Sequence, residues 1–277
     1  MNENLISNLI KEIKSLNIKG SDLWISEANC GFYQIKNFCE KLVEGQNILE
    51  IGSGSGILLS ILSIKYKNLS FEGLEPFNDG FCSLKKLNNV TKKGRVKIHN
   101  LNYENFSTSK KYDLIFCINV IEHINGWKHF IDKAYELLKK DGKLIILCPN
   151  YNFPYESHFS IPIVMNKDIT YKIFKDYILR FEKKNDYNGL WKSLNFIKKS
   201  DLIFYLNKLK QNKKITFIDD ISIIDFMLSR VSKDLEFRNR KKIIGFIALI
   251  LNKFGIFKFL KSFPIYLPYM KFIIKKI

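Results

Sequence analysis

The stretch that decides the fold is NILEIGSGSGILLSIL, residues 47–62. A short apolar run ends at Glu50 and Ile51, and Gly52, Gly54 and Gly56 follow on alternate positions before a second apolar run. Glycine loses more backbone freedom on folding than any other residue, so three of them together indicate a turn of unusual geometry or a closely approaching ligand. The pattern therefore predicts a strand, a ligand-binding turn and a helix.

Composition limits the class of protein before any motif is considered. The 277 residues are 46% hydrophobic, which is enough for the core of one large domain. The cysteines are odd in number and form no C-x-x-C pair, which argues against a disulfide framework or a zinc site. We therefore expect a cytoplasmic protein without a bound metal. The cysteines are Cys30, Cys39, Cys82, Cys117 and Cys148.

The positive charge is concentrated in the second half of the chain. The net charge is +18, and residues 1–150 carry 20 basic and 16 acidic side chains, against 25 and 11 in residues 151–277. A basic surface attracts anionic partners such as phosphorylated small molecules, nucleic acids or acidic membranes.

Short apolar runs alternate with helical periodicity from residue 47 to residue 149, as expected of a parallel sheet with crossover helices. The helix predicted between the last two strands extends from Gly126 to Gly142, with Lys139, Lys140 and Gly142 as its end signal. The predicted strands are 47–51, 69–75, 95–99, 112–120 and 143–149.

The flanking regions predict three consecutive segments. Residues 1–45 form an N-terminal helical cap, and residues 46–220 form the main domain, with 151–212 as a substrate-side insertion. Residues 221–277 form a basic, apolar, helical extension. Within the second half, 167–184 and 198–211 have helical patterns, and 213–219 is a late strand.

Two kinds of cofactor compete for the glycine turn. A dinucleotide site requires G-x-G-x-x-G or a small residue at the last position, so that helix and strand pack closely. That position is Ile57, whose branched side chain argues against a pyrophosphate. The remaining alternative without a cofactor is that the glycines only form a tight turn.

Four motifs together resemble the class I S-adenosylmethionine-dependent methyltransferases of the small-molecule type. They are LEIGSGSG, the acid Glu75 in GLEPF, YDLIFCINVIEHI, and LLKKDGKLIILCPN, and they cover residues 46–151. The resemblance implies an α/β fold with a doubly wound, mostly parallel seven-stranded sheet of the Rossmann-like kind. It also implies a cofactor that lies across the carboxyl ends of the strands.

The resemblance also implies the roles of individual residues. Glu50 and the glycine backbone would face the methionine end of S-adenosylmethionine, and Glu75 would accept both ribose hydroxyls. Asn102 stands where the family often has an acid near the adenine amino group. The implied cofactor-binding residues are Glu50, Gly52, Ser53, Gly54, Gly56, Glu75, Asn102, Tyr103 and Asn119.

Methyl transfer to a hydroxyl needs a base, and two of the four histidines follow predicted strands. His123 follows the fourth strand, beside the expected methyl group, and His158 lies on the loop after the fifth. The alternatives are a structural His123 and a solvated His158; His99 and His129 are predicted to be structural or solvated. The predicted substrate-binding residues are Glu122, Tyr151, Tyr155 and Glu156.

The acceptor class follows from a missing motif. Enzymes that methylate nucleobase amino groups usually carry N/D-P-P-Y/F after the fourth strand, where this sequence reads INVIEH. We therefore expect O-methylation of a small molecule or glycan precursor: a sugar, a nucleotide sugar or a lipid-linked intermediate, as in bacterial surface polysaccharide biosynthesis. The alternatives are an RNA methyltransferase, for which charge is the main support, and a cofactor-binding module without catalysis.

The last forty residues, 238–277, carry ten basic residues and no acid. Their longest uncharged run, 243–252, covers about half of a bilayer. Apolar segments separated by lysines suit a helix lying on the anionic inner face of a membrane, and they also suit aromatic residues packed in the core with solvated lysines around them. Both interpretations stay open, and the sequence does not decide the oligomeric state.

Overall fold

The computed structural model describes residues 2–18, 20–77, 84–91, 96–238, 245–246, 250 and 252–277. The chain divides into two compact units. The first consists of residues 1–118, 129–145 and 275–277, and the second consists of 119–128 and 146–274. The two units alternate along the chain, unlike the three consecutive segments that the sequence predicts.

In the described residues, nine strands form two sheets. They are β1 (Asn47–Ile51), β2 (Ser70–Leu74), β3 (Val96–His99), β4 (Tyr112–Ile118), β5 (Leu138–Pro149), β6 (Tyr155–Glu156), β7 (Ile161–Pro162), β8 (Ile215–Asp219) and β9 (Tyr269–Lys276). Seven of them form one sheet in the order β3-β2-β1-β4-β5-β9-β8, and β6 pairs with β7. Strand β1 is parallel to β2 and β4, and β2 is parallel to β3. The predicted α/β class and the mostly parallel seven-stranded sheet are confirmed.

Ten helices accompany the strands in the described part of the chain. They are α1 (Asn2–Ser15), α2 (Ser21–Cys39), α3 (Ile57–Lys65), α4 (Leu84–Thr91), α5 (Trp127–Leu137), α6 (Lys167–Asn185), α7 (Leu190–Ser193), α8 (Lys199–Asn212), α9 (Ile223–Lys233) and α10 (Ile256–Leu260). None of them combines the length and hydrophobicity that a bilayer crossing needs.

The core of the first unit is built around β1 and α3. Residues 57–63 of α3 are all buried, because the helix packs under α1 and α2 as well as against the sheet. Leu49 of β1 and Phe116 of β4 are completely buried, as expected for parallel strands covered on both faces. This core fixes the position of the turn that begins at Gly52.

The sheet order reverses between β1 and β4. Strand β1 continues toward β2 and β3 on one side, while β4 lies on its other side, with Glu50 opposite Phe116 in the register. In open α/β sheets, ligands bind outside the carboxyl ends of the strands at such a reversal. The glycine turn leaves β1 at this point.

Two boundaries differ from the prediction. Strand β4 ends at Ile118 because Asn119 has a left-handed φ of 53°. Strand β5 begins at Leu138, so the helix predicted through Gly142 is wrong after Leu137. A Cβ at Gly142 would lie 2.9 Å from the Lys139 carbonyl oxygen and 3.0 Å from that of Tyr112, so close backbone approach, not a helix end, explains this glycine.

The predicted helical extension is wrong for its last residues. Met270, Phe272 and Ile274 of β9 are buried on alternate positions, as in a strand, and Lys271 pairs with Asp220 at 3.0 Å. Residues Cys82, Arg95, Arg240, Lys241 and Lys242, used in the sequence argument, lie outside the described residues.

Candidate active site

The glycine turn between β1 and α3 has the unusual geometry that its composition predicts. Gly52, Gly54 and Gly56 have φ values of 79°, 51° and 74°, in the left-handed region that favours glycine. The amides of Gly52 and Ser53 both donate to the Leu74 carbonyl oxygen, at 2.8 and 3.0 Å, which ties the turn to the end of β2.

The three glycines are not equivalent. A Cβ at Gly56 would lie 2.6 Å from Ile98 Cδ1 and 2.7 Å from Thr91 Oγ1, so close packing accounts for this residue. A Cβ at Gly54 would meet only Leu84, at 3.5 Å. The space next to Gly54 therefore suits close approach of a ligand better than the space next to Gly56.

Glu75 is held by the backbone at the end of β2. Its Oε2 accepts a hydrogen bond from the Gly54 amide at 2.8 Å, and its Oε1 accepts one from the Phe77 amide at 3.0 Å. Burial raises the pKa of this carboxyl, although both backbone donors oppose the rise. An ionised carboxylate accepts about four hydrogen bonds, so Glu75 retains acceptor capacity for two ribose hydroxyls.

Glu50 is buried at the carboxyl end of β1, and its Oε2 makes no hydrogen bond. Burial, and then the charge of Glu75, raise the pKa of Glu50 well above its ordinary value. A buried carboxylate without a partner is costly, and a cationic ligand would relieve that cost. The hydroxyl of Ser53 is also buried without a hydrogen bond.

These residues fit S-adenosylmethionine, which carries an ammonium, a sulfonium and a ribose. Glu50 and Ser53 offer unsatisfied polar atoms, and Glu75 offers free acceptor capacity. At the adenine position, Asn102 precedes a short 3-10 turn and Tyr103 packs edge-on against Phe130, with ring centroids 5.4 Å apart. The roles of Asn102 and Tyr103 stay predictions.

A second group of polar residues lies in the second unit. Its chain begins at Asn119, whose amide donates to the Leu147 carbonyl oxygen at 2.8 Å and whose Oδ1 is buried without a hydrogen bond. A 3-10 turn from Ile121 to His123 follows. The rings of His123 and His158 meet edge-to-face, with centroids 5.2 Å apart.

The ring of His123 contacts the Ser193 hydroxyl. The Ser193 hydroxyl oxygen lies 2.8 Å from the Leu190 carbonyl oxygen and 2.8 Å from His123 Nδ1. When the hydroxyl donates to Leu190, it accepts from Nδ1, and in that tautomer Nε2 is the basic nitrogen. Burial, with the charges of His158 and Lys167, holds the pKa of His123 well below its usual range, so the ring is neutral at pH 7.

His158 is oriented by a buried carboxylate. Its Nδ1 lies 2.7 Å from Glu156 Oε1, and Glu156 also accepts from the amides of His158 and Phe159, at 3.1 and 2.7 Å, and from the Tyr151 hydroxyl, at 3.2 Å. Burial alone would raise the pKa of Glu156, but His158 and these donors outweigh it and lower the pKa. Tyr151 and Glu156, predicted to bind substrate, are engaged in holding His158; Tyr155 is half-buried.

Of these side chains, Glu122 makes the fewest hydrogen bonds. The residue is 0% exposed, and neither carboxylate oxygen makes a hydrogen bond. His158 Nε2 lies 3.9 Å from Glu122 Oε1, and the two form an ion pair when His158 is protonated. Burial raises the pKa of Glu122 to about 7, with the His158 charge opposing the rise. Glu122, His123 and His158 offer ligand atoms within 4.8 Å of one another, a spacing also open to a metal ion.

The 3-10 turn from Ile121 to His123 is held in place by residues that the sequence did not predict. The Asn195 side-chain amide donates to the carbonyl oxygens of Ile121 and Ile124, both at 2.7 Å, and its main-chain amide donates to that of Glu122 at 2.7 Å. Asn195 and Ser193 follow the turn by about seventy residues, so no local motif connects them. Among the other histidines, His99 pairs with Glu72 at 3.1 Å, and His129 is exposed.

Comparisons with known proteins agree with this geometry. A family model described as a methyltransferase domain matches residues 28–196. An uncharacterized protein of Mycobacterium tuberculosis is 29% identical over 204 residues, which cover 73% of this chain and 68% of that protein. The (S)-coclaurine N-methyltransferase of Papaver somniferum is 27% identical over 112 residues, which cover 38% of this chain and 30% of the plant enzyme.

A solved structure has a similar fold. The plantazolicin methyltransferase BamL, solved with a triazolic desmethylPZN analog and SAH, superposes with a TM-score of 0.52 at 14% identity, covering 98% of this chain and 90% of that one. The family match spans more than half of the chain and includes the glycine turn. The chain therefore belongs to the class I S-adenosylmethionine-dependent methyltransferases, with S-adenosylmethionine as its cofactor.

Proposed function

We propose that this methyltransferase methylates a hydroxyl oxygen of a small molecule or glycan precursor. The observation that carries the proposal is the contact of His123 Nδ1 with the Ser193 hydroxyl at 2.8 Å: in the neutral tautomer with its proton on Nδ1, the ring offers Nε2 as a base. When bound, S-adenosylmethionine supplies a methyl group on a positively charged sulfur. The chain must position the acceptor and remove its proton.

His123 takes the acceptor proton in this proposal. A hydroxyl is a weak nucleophile until a base removes its proton, and a neutral imidazole does so at physiological pH. His158 completes the group as a positioning residue, held by Glu156 on one side and 3.9 Å from Glu122 on the other.

The acceptor class rests on charge and on a missing motif. Residues 151–277 carry 25 basic and 11 acidic side chains, which favours an anionic acceptor such as a nucleotide sugar or a phosphorylated, lipid-linked intermediate of surface polysaccharide synthesis. The turn after β4 lacks the pattern usual for nucleobase N-methylation, so RNA is the weaker candidate. The cytoplasm is the proposed compartment because Cys30, Cys39, Cys117 and Cys148 are buried free thiols.

An amine acceptor is the second candidate. The buried carboxylate of Glu122 has no hydrogen-bond donor, and an ammonium group would supply one. The similarity to (S)-coclaurine N-methyltransferase favours the same chemistry. Both candidates use His123 as the base, so the acceptor atom, not the base, separates them.

The experiment that tests the proposal follows the methyl group. The protein is incubated with methyl-labelled S-adenosylmethionine and separate pools of nucleotide sugars, lipid-linked intermediates, small amines and RNA. We expect label in one of the first two pools, in a product whose methyl resists conditions that cleave esters. Label in the amine pool would replace the oxygen proposal with the second candidate, and label confined to RNA would contradict both.

A further inference from the structure

We propose that the described residues between 245 and 266, here called the 245–266 surface, bind an anionic lipid bilayer. In its described part this segment exposes a set of large apolar side chains, although core packing buries most such side chains elsewhere in the chain. The exposed residues are Phe246, Ile250, Phe254, Ile256, Phe259, Phe263 and Tyr266.

The degree of exposure is unusual for aromatic residues. Phe254 is 76% exposed and Phe259 is 65% exposed, and the Phe259 and Phe263 rings pack together, with centroids 5.3 Å apart. Single exposed apolar side chains are ordinary on protein surfaces, but several contiguous ones indicate an interaction site. Three occupants could cover such a site: another copy of the chain, a second protein, or a membrane.

Charge selects among these occupants. From residue 238 to residue 261 the sequence contains seven basic residues and no acid, and in the described part of the chain only Lys261 among them has an ion pair, with Asp225, so a second copy would bring like charges together. An anionic bilayer offers negative headgroups to the cations and an apolar interior to the aromatic side chains. Phenylalanine and tyrosine with neighbouring lysines suit the boundary between headgroups and acyl chains.

Within the second unit, an ion pair holds the C-terminal end of the segment to α9. Lys261 Nζ contacts both carboxylate oxygens of Asp225 on α9, at 2.5 and 2.7 Å. Gly255, with φ 75°, turns the chain between Phe254 and α10. No helix in the described residues is long and apolar enough to cross the bilayer, so the proposed binding is to its surface.

This inference does not depend on the acceptor. It holds for a soluble substrate as well as for a lipid-linked one, because it rests on residues outside the cofactor turn and the His123 turn. Loss of membrane binding would therefore leave the proposed methyl transfer untouched, and failure to find an acceptor would leave the membrane proposal untouched.

The test is co-sedimentation of the full chain with vesicles. We expect binding to vesicles that contain phosphatidylglycerol, little binding to pure phosphatidylcholine, and weaker binding as salt rises. Replacing both exposed rings, Phe254→Ser with Phe259→Ser, should weaken binding by about tenfold or more, because two apolar side chains no longer enter the bilayer. The matched control is Phe204→Ser on α8, a residue 75% exposed outside the 245–266 surface, which should bind like the wild type.

Folding is checked independently by S-adenosylhomocysteine affinity, which the double variant should retain. Absence of binding to phosphatidylglycerol vesicles by the wild type would overturn the proposal, as would equal losses in the double variant and the Phe204 variant. A dimer in sedimentation equilibrium that the double variant dissociates, without vesicle binding by the wild type, would assign the surface to self-association instead.

Discussion

At the scale of single residues, Glu50 and Glu75, the two buried carboxylates beside the glycine turn, are held in different ways. Glu75 is fixed by the Gly54 and Phe77 amides and presents its remaining lone pairs, whereas Glu50 has a buried oxygen with no hydrogen bond. An acceptor already fixed by backbone donors loses little freedom when a ligand binds, which favours affinity. The fixed residue should therefore dominate recognition of the ribose.

Replacing Glu75 should weaken cofactor binding. Glu75→Gln removes the charge and half of the acceptor capacity facing two hydroxyls, and we expect about a 10- to 100-fold loss of affinity for S-adenosylhomocysteine. Titration calorimetry measures this change. The control is Glu44→Gln, on an exposed carboxylate, which should bind like the wild type. Equal affinity of the Glu75 variant and the wild type would remove Glu75 from the ribose site.

Replacing His123 should separate chemistry from cofactor binding. His123→Asn removes the base, and we expect kcat to fall by about 10²- to 10⁴-fold while S-adenosylhomocysteine affinity stays within twofold. His129→Asn, on an exposed histidine, is the control and should retain full turnover. Because the pKa of His123 lies well below 6.5, wild-type activity should stay level between pH 8 and 6.5 and decline only at lower pH. A decline centred at or above pH 7 would contradict this assignment.

The residues that could be predicted from the sequence belong to local motifs. Glu50, the glycines and Glu75 follow neighbouring strands, so their convergence follows from a parallel sheet. Ser193 and Asn195 could not be predicted, because they reach the His123 turn from about seventy residues away and carry no motif of their own.

At the scale of elements, the third glycine of the turn serves packing between α3, α4 and β3. Gly56 has a left-handed φ of 74° and side chains within 2.6 and 2.7 Å of an added Cβ, whereas Gly45 has a φ of 79° and nothing within 4 Å. The two glycines therefore have similar backbone strain and differ in crowding. Comparing alanine at both positions isolates the contribution of packing.

We expect Gly56→Ala to destabilise the protein more than Gly45→Ala. The left-handed backbone costs about 1–2 kcal/mol for alanine at either position, and overpacking adds about 1–3 kcal/mol at Gly56 alone. Urea unfolding of both variants measures the free energy of unfolding. Equal losses would mean that Ile98 and Thr91 move aside at little cost, and that backbone conformation alone explains Gly56.

The sequence predicts helices and strands correctly where a local pattern determines them. The predictions are wrong where contacts with distant residues determine the secondary structure. Residues 138–142 have the lysines and glycine of a helix end, but Gly142 lies against the backbone of Tyr112, thirty residues earlier. Residues 269–276 have lysines between apolar residues, which suggested an amphipathic helix. Lys271 is buried beside Asp220, so a lysine at this position does not mark a side of the element that faces solvent.

At the scale of the whole molecule, the two compact units are each made from separate stretches of chain. Residues 119–128 belong to the second unit although they lie between two stretches of the first. The sequence predicted consecutive segments because composition changes gradually and no linker marks a boundary. The resemblance predicted the seven strands of the main sheet, whereas only the structure gives the division into units.

Stability of the whole molecule should depend on pH through Glu122. Its folded pKa of about 7 lies above the ordinary 4.5, so its contribution to stability is fully present below pH 4.5 and is lost as the pH rises through 7. Glu122→Gln keeps the shape without titrating. The free energy of unfolding of the wild type, relative to this variant, should therefore fall by about 3 kcal/mol between pH 4.5 and 8.

Chemical denaturation of both proteins at several pH values measures this difference. Other groups titrate in both the wild type and the Glu122→Gln variant, so their contributions cancel in the difference. His123 is one of them, and its lowered pKa makes the free energy of unfolding rise with pH, opposite to the effect of Glu122. A difference that does not vary with pH would mean that Glu122 stays ionised in the folded protein, and that a cation compensates its charge.

The position of β9 has a consequence for synthesis of the protein. In the sheet, β9 lies between β5 and β8, yet it follows both along the chain. When β8 has emerged from the ribosome, β9 has not yet been completed, although β9 must lie between β8 and β5. During that interval the nascent chain carries two sheet edges without partners, which are sites of wrong pairing and aggregation. Slow translation of residues 220–268 should therefore lower the yield of soluble protein, and a chaperone that covers strand edges should restore it.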